Sequence, residues 1–314
     1  MPNPSTKNPA KTNKVIAVTL GDPQGIGPEV VAKGIAAYSP MGSLVIVGAR
    51  RHFPVPRIPV ISDIRQVRPG ETVFWEVDGG PAAADPSFTW VKAAVEMALR
   101  GDVQAVVTAP VNKDKWLASG LPFRGHTDYF ATLAPAVAPA MFFWSPGLKV
   151  ALFTHHIPLR EVFARLDAKK IADFIRLVDV ELRRLFTREF TYLLPGLNPH
   201  AGENGHLGNE EIDVLGPVLR DLQGQVPVTG VYPPDVVFVK ARSMKNAVVI
   251  ALTHDQGLIP FKLLQAGNGV QLTLGLPFLR TSPVHGTAYD IAGQGIADPA
   301  SMIAAIRLAE SLLN

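Results

Sequence analysis

The sequence predicts an α/β fold: a two-lobed α/β/α body with an active site in the cleft between the lobes. Three observations carry this. Short β-branched and aliphatic runs alternate with helical stretches along all 314 residues. Several of those runs are apolar at every position, as strands covered by helices on both faces are. No repeat or low-complexity linker interrupts the alternation, which suits two lobes sharing a cleft better than separate beads.

The elements follow in order. Residues 1–13 are polar, rich in proline and lysine, and without the apolar segment of a secretory signal, so they read as a disordered leader. Strands are expected at Val15 to Leu20, Leu44 to Val47, Gln104 to Thr108, Val150 to Phe153, Thr191 to Leu194, Val228 to Val231, Val248 to Leu252 and Val270 to Leu274. Pro28 to Ala37 opens with a proline suited to a first helical turn, and Pro86 to Leu99 has apolar residues at helical spacing. Ala168 to Phe186 is a long amphipathic helix with charges on its solvent face. Asn209 to Leu222 carries acids in its first turn, which complement the helix dipole, and Asp298-Pro299 is expected to cap and open the last helix.

Composition excludes several classes. Hydrophobic residues make up 47% and charged residues 18%, an ordinary globular balance. With no cysteine, any metal must be held by His, Asp or Glu. A net charge of +3 without a basic run argues against nucleic acid, and no apolar run reaches the roughly 18 residues of a membrane span. A cytoplasmic enzyme is the expectation.

Four clusters carry chemistry. The first, Gly21-Asp22-Pro23-Gln24-Gly25-Ile26-Gly27-Pro28-Glu29, turns from a strand into a helix. It is either an anion-binding turn of backbone N–H groups or simply a tight connection, and it is neither G-x-G-x-x-G nor a Walker loop. The second is three histidines just past separate strands: His156 in Thr154-His155-His156-Ile157-Pro158-Leu159, His200 in Asn198-Pro199-His200-Ala201-Gly202-Glu203, and His254 in His254-Asp255-Gln256-Gly257. Such residues can converge at one edge of a sheet, and three imidazoles with an open position suit a catalytic divalent ion. Each taken alone also reads as a structural histidine.

The third cluster, Gly125-His126-Thr127-Asp128, puts an imidazole and a hydroxyl at a helix start, an anion site or a cap. Lys262 and Arg280 follow as cations that are otherwise ordinary surface charges. The fourth, Ser282 to Pro299, is a Gly-rich loop containing His285, Gly286, Thr287, Ala288 and Asp290 before the last helix. Its glycines permit close approach to a flat ligand, and Asp290 can accept ribose hydroxyls; a plain connecting loop is the alternative.

In this order, from about Val15 to the C-terminus, the strings resemble those of 4-hydroxythreonine-4-phosphate dehydrogenases. That family lies within the isocitrate/isopropylmalate dehydrogenase superfold. Gln24 stands where the family usually has alanine, Asp128 where it has glutamate, and Gln271 where it has asparagine. The resemblance implies that His156, His200 and His254 hold one divalent ion (Zn, Mg or Co) and act through it. His155 is then structural or an outer partner of a ligand, since adjacent strand residues point oppositely, and His206 has an exposed or loop-stabilising role. It implies that His126, Thr127, Lys262, Gln271 and Arg280 bind a phosphorylated small substrate, and that His285, Gly286, Thr287, Ala288 and Asp290 bind NAD or NADP. Asp235 would orient a ligand histidine or cap a helix.

The implied activity is oxidation and decarboxylation of 4-phosphohydroxy-L-threonine to 3-amino-2-oxopropyl phosphate in pyridoxine 5'-phosphate synthesis. The ion would acidify the hydroxyl, and hydride would pass to the nicotinamide. The alternatives are another phosphorylated hydroxy acid, such as a four-carbon sugar acid 4-phosphate, and a phosphotransacetylase-like transferase. The resemblance also implies a homodimer with the site completed across its interface. The first lobe is expected from residues 14–128 plus 278–314, the second from 129–277.

Overall fold

β1 (Val15–Thr19), β2 (Ser43–Gly48), β3 (Val60–Ile61), β4 (Thr72–Glu76), β5 (Ala105–Thr108), β6 (Ala140–Trp144), β7 (Lys149–Leu152), β8 (Thr191–Pro195), β9 (Val228–Tyr232), β10 (Ala247–Ala251), β11 (Val270–Leu274) and β12 (Leu279–Pro283) join in one sheet. Its order is β3-β4-β2-β1-β5-β12-β11-β6-β7-β10-β8-β9. The structure is a computed structural model that describes residues 14–314 except 56, 79–84, 124, 134–137 and 266; the expected leader lies outside the described residues. The helices are α1 (Gly27–Ala37), α2 (Pro86–Leu99), α3 (Lys113–Ala118), α4 (His126–Ala131), α5 (Leu159–Arg165), α6 (Ala168–Phe186), α7 (Gly216–Leu222), α8 (Pro234–Arg242), α9 (His254–Leu264) and α10 (Ala300–Leu313).

All eight expected strands are present. β1, β2, β5, β7 and β10 are buried along their whole length, as their unbroken apolar runs require. α6 starts where the Asp167 side chain accepts the Lys170 N–H at 2.8 Å and ends where Thr187 turns left-handed. Between them Ile171, Ile175, Val178 and Leu182 recur at helical spacing and are buried, each contributing roughly 1.5–3 kcal/mol. Two expectations change. Residues Glu211–Leu215 form a wider, π-helical turn before α7, where Pro217 lacks an N–H. α10 begins at Ala300, and Asp298 caps it by accepting the Ala300 N–H at 2.9 Å.

Pairing is parallel from β3 through β12 and again from β7 through β9. It is antiparallel where β12, β11, β6 and β7 meet. Gln271 of β11 lies opposite both Ser282 of β12 and Phe143 of β6, and Thr273 lies opposite Met141. Side chains alternate between faces along a strand. Met141, Phe143, Gln271, Thr273, Arg280 and Ser282 therefore share one face at the middle of the sheet.

Candidate active site

That central face is the floor of a cleft of about 490 Å³. One wall is the segment after β5, with Lys113, and the start of α4, with His126, Thr127 and Asp128. The other is the segment after β7, with His155 and His156, and α9, with His254 and Lys262. His285 and Gly286 close the end above β12. Two of the three strand-end histidines, His156 and His254, thus reach a site over the sheet's face, not along its edge.

Arg280 is the most constrained group in the floor. It is 3% exposed, and its guanidinium donates to Thr108 Oγ1, to Thr273 Oγ1 at 3.0 Å and to Gln271 Oε1. It lies 5.3 Å from the centre of the Phe130 ring. All these partners are neutral, and burial lowers its pKa from the usual arginine value to about 9. A buried guanidinium without a carboxylate is costly unless an anion completes it. Gln271 spends its amide inside the protein: Oε1 also accepts from Ser282 Oγ at 2.9 Å, and Nε2 donates to the Leu272 carbonyl at 2.8 Å. The glutamine at this position holds the arginine in place.

Four histidines of the cleft, His126, His155, His156 and His285, have their pKa values lowered, which favours the neutral imidazole. His126 stacks on Phe130 and meets Trp116 edge-on, and its buried Nε2 has no partner among the described residues. Burial, then Arg280 and Lys113, holds its pKa well below the usual histidine value. Burial and Lys113 lower His156 to about 4, and burial also lowers His155 and His285. His155 Nδ1 and His285 Nε2 are likewise buried without partners. Neutral imidazoles with unused nitrogens facing a cleft suit a metal ion or a polar ligand.

The His156 and His254 rings lie 5.6 Å apart. His254 opens α9, and its Nδ1 meets Asp255 Oδ1 at 2.7 Å, which leaves Nε2 for a ligand. His155, expected to point away, also lines the cleft. β7 ends at Leu152, so strand alternation no longer applies, and His156 takes a positive φ of 52°. His200 is exposed and outside this cleft. It lies past β8, which neighbours β10, but a left-handed turn carries it away. Among the described residues, no three His, Asp or Glu side chains come together as a metal cage. His206 is exposed, and Asp235 is exposed inside the first turn of α8, whose cap position is Pro233.

The first glycine cluster is a seat for the last. The Ile26 N–H donates to the Thr287 carbonyl at 2.9 Å, and a Cβ on Gly25 would lie 2.8 Å from that same oxygen. Buried Asp22 accepts from Gln24 N at 2.9 Å, from Lys115 Nζ at 2.8 Å and from the Tyr289 hydroxyl. Lys33 donates to the Gly295 and Ala297 carbonyls at 2.8 Å. These N–H groups are spent on the protein, so the anion-binding reading of the turn gives way to a structural one. Thr287, Ala288 and exposed Asp290 continue outward from the cleft. Beside them, Gln24, Gly25, His52, Phe53, Gly293 and Gly295 line a second hollow of about 500 Å³.

Sequence reasoning missed Lys113 and Thr108. Lys113 stands thirteen residues before His126 in a segment without a distinctive string, and Thr108 reads as the end of a strand.

A large mixed sheet flanked by helices, with a cationic, histidine-bearing cleft over its centre, defines an α/β fold. A β-decarboxylating dehydrogenase from Thermococcus kodakarensis shares that fold alone, with a TM-score of 0.50 and 15% identity. Residues 63–309 match the family described as pyridoxal phosphate biosynthetic protein PdxA, and the chain belongs to that family. It is 38% identical to the D-threonate 4-phosphate dehydrogenase of Salmonella typhimurium, over 95% of this chain and 99% of the relative. It is 38% identical to the 4-hydroxythreonine-4-phosphate dehydrogenase of Chromobacterium violaceum, over 95% and 96%. The crystal structure of 4-hydroxythreonine-4-phosphate dehydrogenase from Klebsiella pneumoniae superposes with a TM-score of 0.83 at 36% identity, covering 96% of this chain and 100% of that one. No helix among the described residues is long and apolar enough to cross a membrane.

Proposed function

We propose that this chain is a cytoplasmic, NAD- or NADP-dependent dehydrogenase that oxidises and decarboxylates 4-phosphohydroxy-L-threonine to 3-amino-2-oxopropyl phosphate with the help of one divalent ion. The observation that carries the proposal is Arg280, a buried cation with neutral partners, facing the His156–His254 pair across one cleft. Lys113, Lys262 and Arg280 outnumber the single lining carboxylate, Asp128, so the cleft suits a substrate with a phosphate at one end and a carboxylate at the other. Neutral His126 and Thr127 offer uncharged hydrogen bonds to that anion.

His156 and His254 would hold the ion through imidazole nitrogens, which suit Zn and Co more than Mg. When bound, the ion supplies Lewis acidity to a hydroxyl, and the nicotinamide supplies hydride acceptance. The protein's part is to fix the two anionic ends with Arg280, Lys262 and Lys113, so that the hydroxyl carbon lies between the imidazoles and the loop at His285 and Gly286. The same cations favour substrate as a dianion. The hollow between residues 24–29 and 293–295 offers room for the distant end of the nucleotide, with Asp290 as the ribose acceptor.

Exposed His200 would complete the ligand set from a second copy of the chain. The apolar, exposed Val239 of α8 and Ile259 and Leu263 of α9 favour such a homodimer, with α8 packed beside the His200 turn. The division of the sheet at β12/β11, with 15–108 and 279–283 on one side and 140–274 on the other, favours two lobes meeting at the cleft.

The test is NADH formation from 4-phosphohydroxy-L-threonine, with and without chelator, beside a four-carbon sugar acid 4-phosphate. Metal-dependent turnover of the first is expected. Preference for the second substrate reassigns the activity, and chelator-insensitive turnover removes the ion from the reading.

A further inference from the structure

His200 leaves β8 along a path that L-residues seldom take. His200, Ala201, Gly202, Glu203 and Asn204 have φ of 51°, 55°, 76°, 43° and 57°, a left-handed turn in which every residue but Gly202 carries a Cβ. Each such residue costs roughly 1–2 kcal/mol relative to the right-handed form. Strain of this kind persists only where the surroundings over-determine it. Beyond the turn's own helical bonds, the Ala201 N–H donates to the Asn198 carbonyl at 3.1 Å, the His206 N–H to the Glu203 carbonyl at 3.3 Å and the Leu207 N–H to the Gly202 carbonyl at 3.0 Å.

The anchor is the carboxylate of Glu211, 6% exposed, at the start of the π-helical turn. Its Oε1 accepts the Leu197 and Asn198 N–H groups, both at 2.8 Å, and its Oε2 accepts Asn198 Nδ2 at 3.0 Å. A Cβ on Gly202 would lie 2.6 Å from Oε2 and one on Gly196 3.0 Å from Oε1, so the chain is packed against both oxygens. Burial pushes this carboxyl up, but the bonds from Asn198 and Leu197 outweigh it and hold the pKa below the usual glutamate value. Neighbouring Glu210 takes a second bond from Asn198 Nδ2 at 2.6 Å.

We propose that Glu211 is a positioning residue for the metal site: it fixes the entry to the left-handed turn, and through that backbone sets the direction in which His200 is presented as a ligand. The inference rests on the reading of His200 as a ligand. It gives a purpose to a charged group buried far from the cleft floor. It also explains why a five-residue strained turn follows β8, where a relaxed loop would have joined the same elements.

Glu211→Gln, His200→Ala and the double variant, each in the full chain, are titrated with Co²⁺ by calorimetry and by its visible absorption. The melt of each metal-free protein is recorded alongside. Glu211→Gln turns one acceptor oxygen into a donor facing N–H groups. It should weaken Co²⁺ binding roughly 10–100-fold, the range for outer partners of a ligand, and shift the absorption bands. In the His200→Ala background it should add nothing. Unchanged Co²⁺ affinity in Glu211→Gln, or an equal further loss in the double variant, overturns the positioning role. If His200→Ala alone leaves Co²⁺ affinity intact, the ligand assignment falls and the positioning role with it. Which variant is silent tells the two failures apart. Should Glu211→Gln not fold, Asn198→Ser removes the side-chain bonds to Glu210 and Glu211 and leaves the backbone bonds to Glu211 in place. It should cost a several-fold loss in affinity, and no loss counts against the proposal.

Discussion

Replacing Arg280 by methionine separates what the arginine does for the fold from what it does for the substrate. Lowering its pKa from the usual arginine value to about 9 corresponds to about 5 kcal/mol of penalty on the charged form, at about 1.4 kcal/mol per pKa unit. Against this stand charge-assisted hydrogen bonds to Thr108, Gln271 and Thr273, about 1.5 kcal/mol each, and the Phe130 contact, about 0.5–1 kcal/mol. The two sides nearly cancel. Methionine keeps the apolar contact with Phe130 and removes the charge, so the metal-free, substrate-free protein should melt within about 2–3 °C of the wild type. Substrate binding has no such compensation. Losing a charge-assisted contact in a desolvated cleft costs about 2–4 kcal/mol, so KM should rise roughly 30- to 1000-fold. Thermal melts of the free protein and initial rates over a range of substrate concentrations measure both. A melt lowered by ten degrees or more would show the guanidinium to be a structural ion. A KM close to that of the wild type would remove the anion from its neighbourhood.

Gly25→Ala places a methyl 2.8 Å from the Thr287 carbonyl and should lift the terminal loop off its seat; nucleotide affinity by fluorescence titration is expected to fall tenfold or more, with substrate-site anion binding spared. His126 has a folded pKa below its unfolded value, so the unfolded chain binds the extra proton first. Stability should therefore be full above about pH 6.5 and decline as pH falls below it. Urea midpoints at pH 7.5 and 5.5 test this, and a pH slope in His126→Gln as steep as the wild type's would discharge His126 from the effect. Removing the ion by chelation should abolish NADH formation and leave the far-UV spectrum unchanged, because His156 and His254 are set by β7 and by α9, not by the ion.

Much of the fold was legible because most strands are buried on both faces, and an unbroken apolar run is a strong signal. β12 was not. Leu279–Pro283 reads polar, with Arg280, Thr281 and Ser282, yet every residue of it is buried. Arg280 and Ser282 lie in the cleft floor and bond Gln271, while Thr281 faces the other side and donates to the Ala305 carbonyl at 2.9 Å, a context no single strand reveals. β6, with Met141, Phe142 and Phe143, is as compatible with a buried helix as with a strand, and one of its two antiparallel partners, β11, lies far along the chain. In the site, His126, Thr127, His156, His254, Lys262, Gln271, Arg280, His285 and Gly286 were named from their strings, and all line one cleft. Periodicity could not foresee that His200 would be turned away from that cleft by a left-handed backbone. Nor could it foresee that Gln271 would bond inward, or that Lys113 would enter from a segment without a motif.

The position of β12 has a consequence for synthesis. β5 pairs with β1 on one side, β11 pairs with β6 on the other, and β12 is inserted between β5 and β11. While residues 279–283 are still inside the ribosome, two nearly finished half-sheets each expose an unpaired edge, the kind of surface that templates association with other chains. Asp22, Gln24 and Gly25 emerge early and wait for residues 287–289, so the loop they seat closes only after both half-sheets have been translated. Nascent polypeptides that stop short of residue 279 should therefore aggregate instead of accumulating as partly active enzyme.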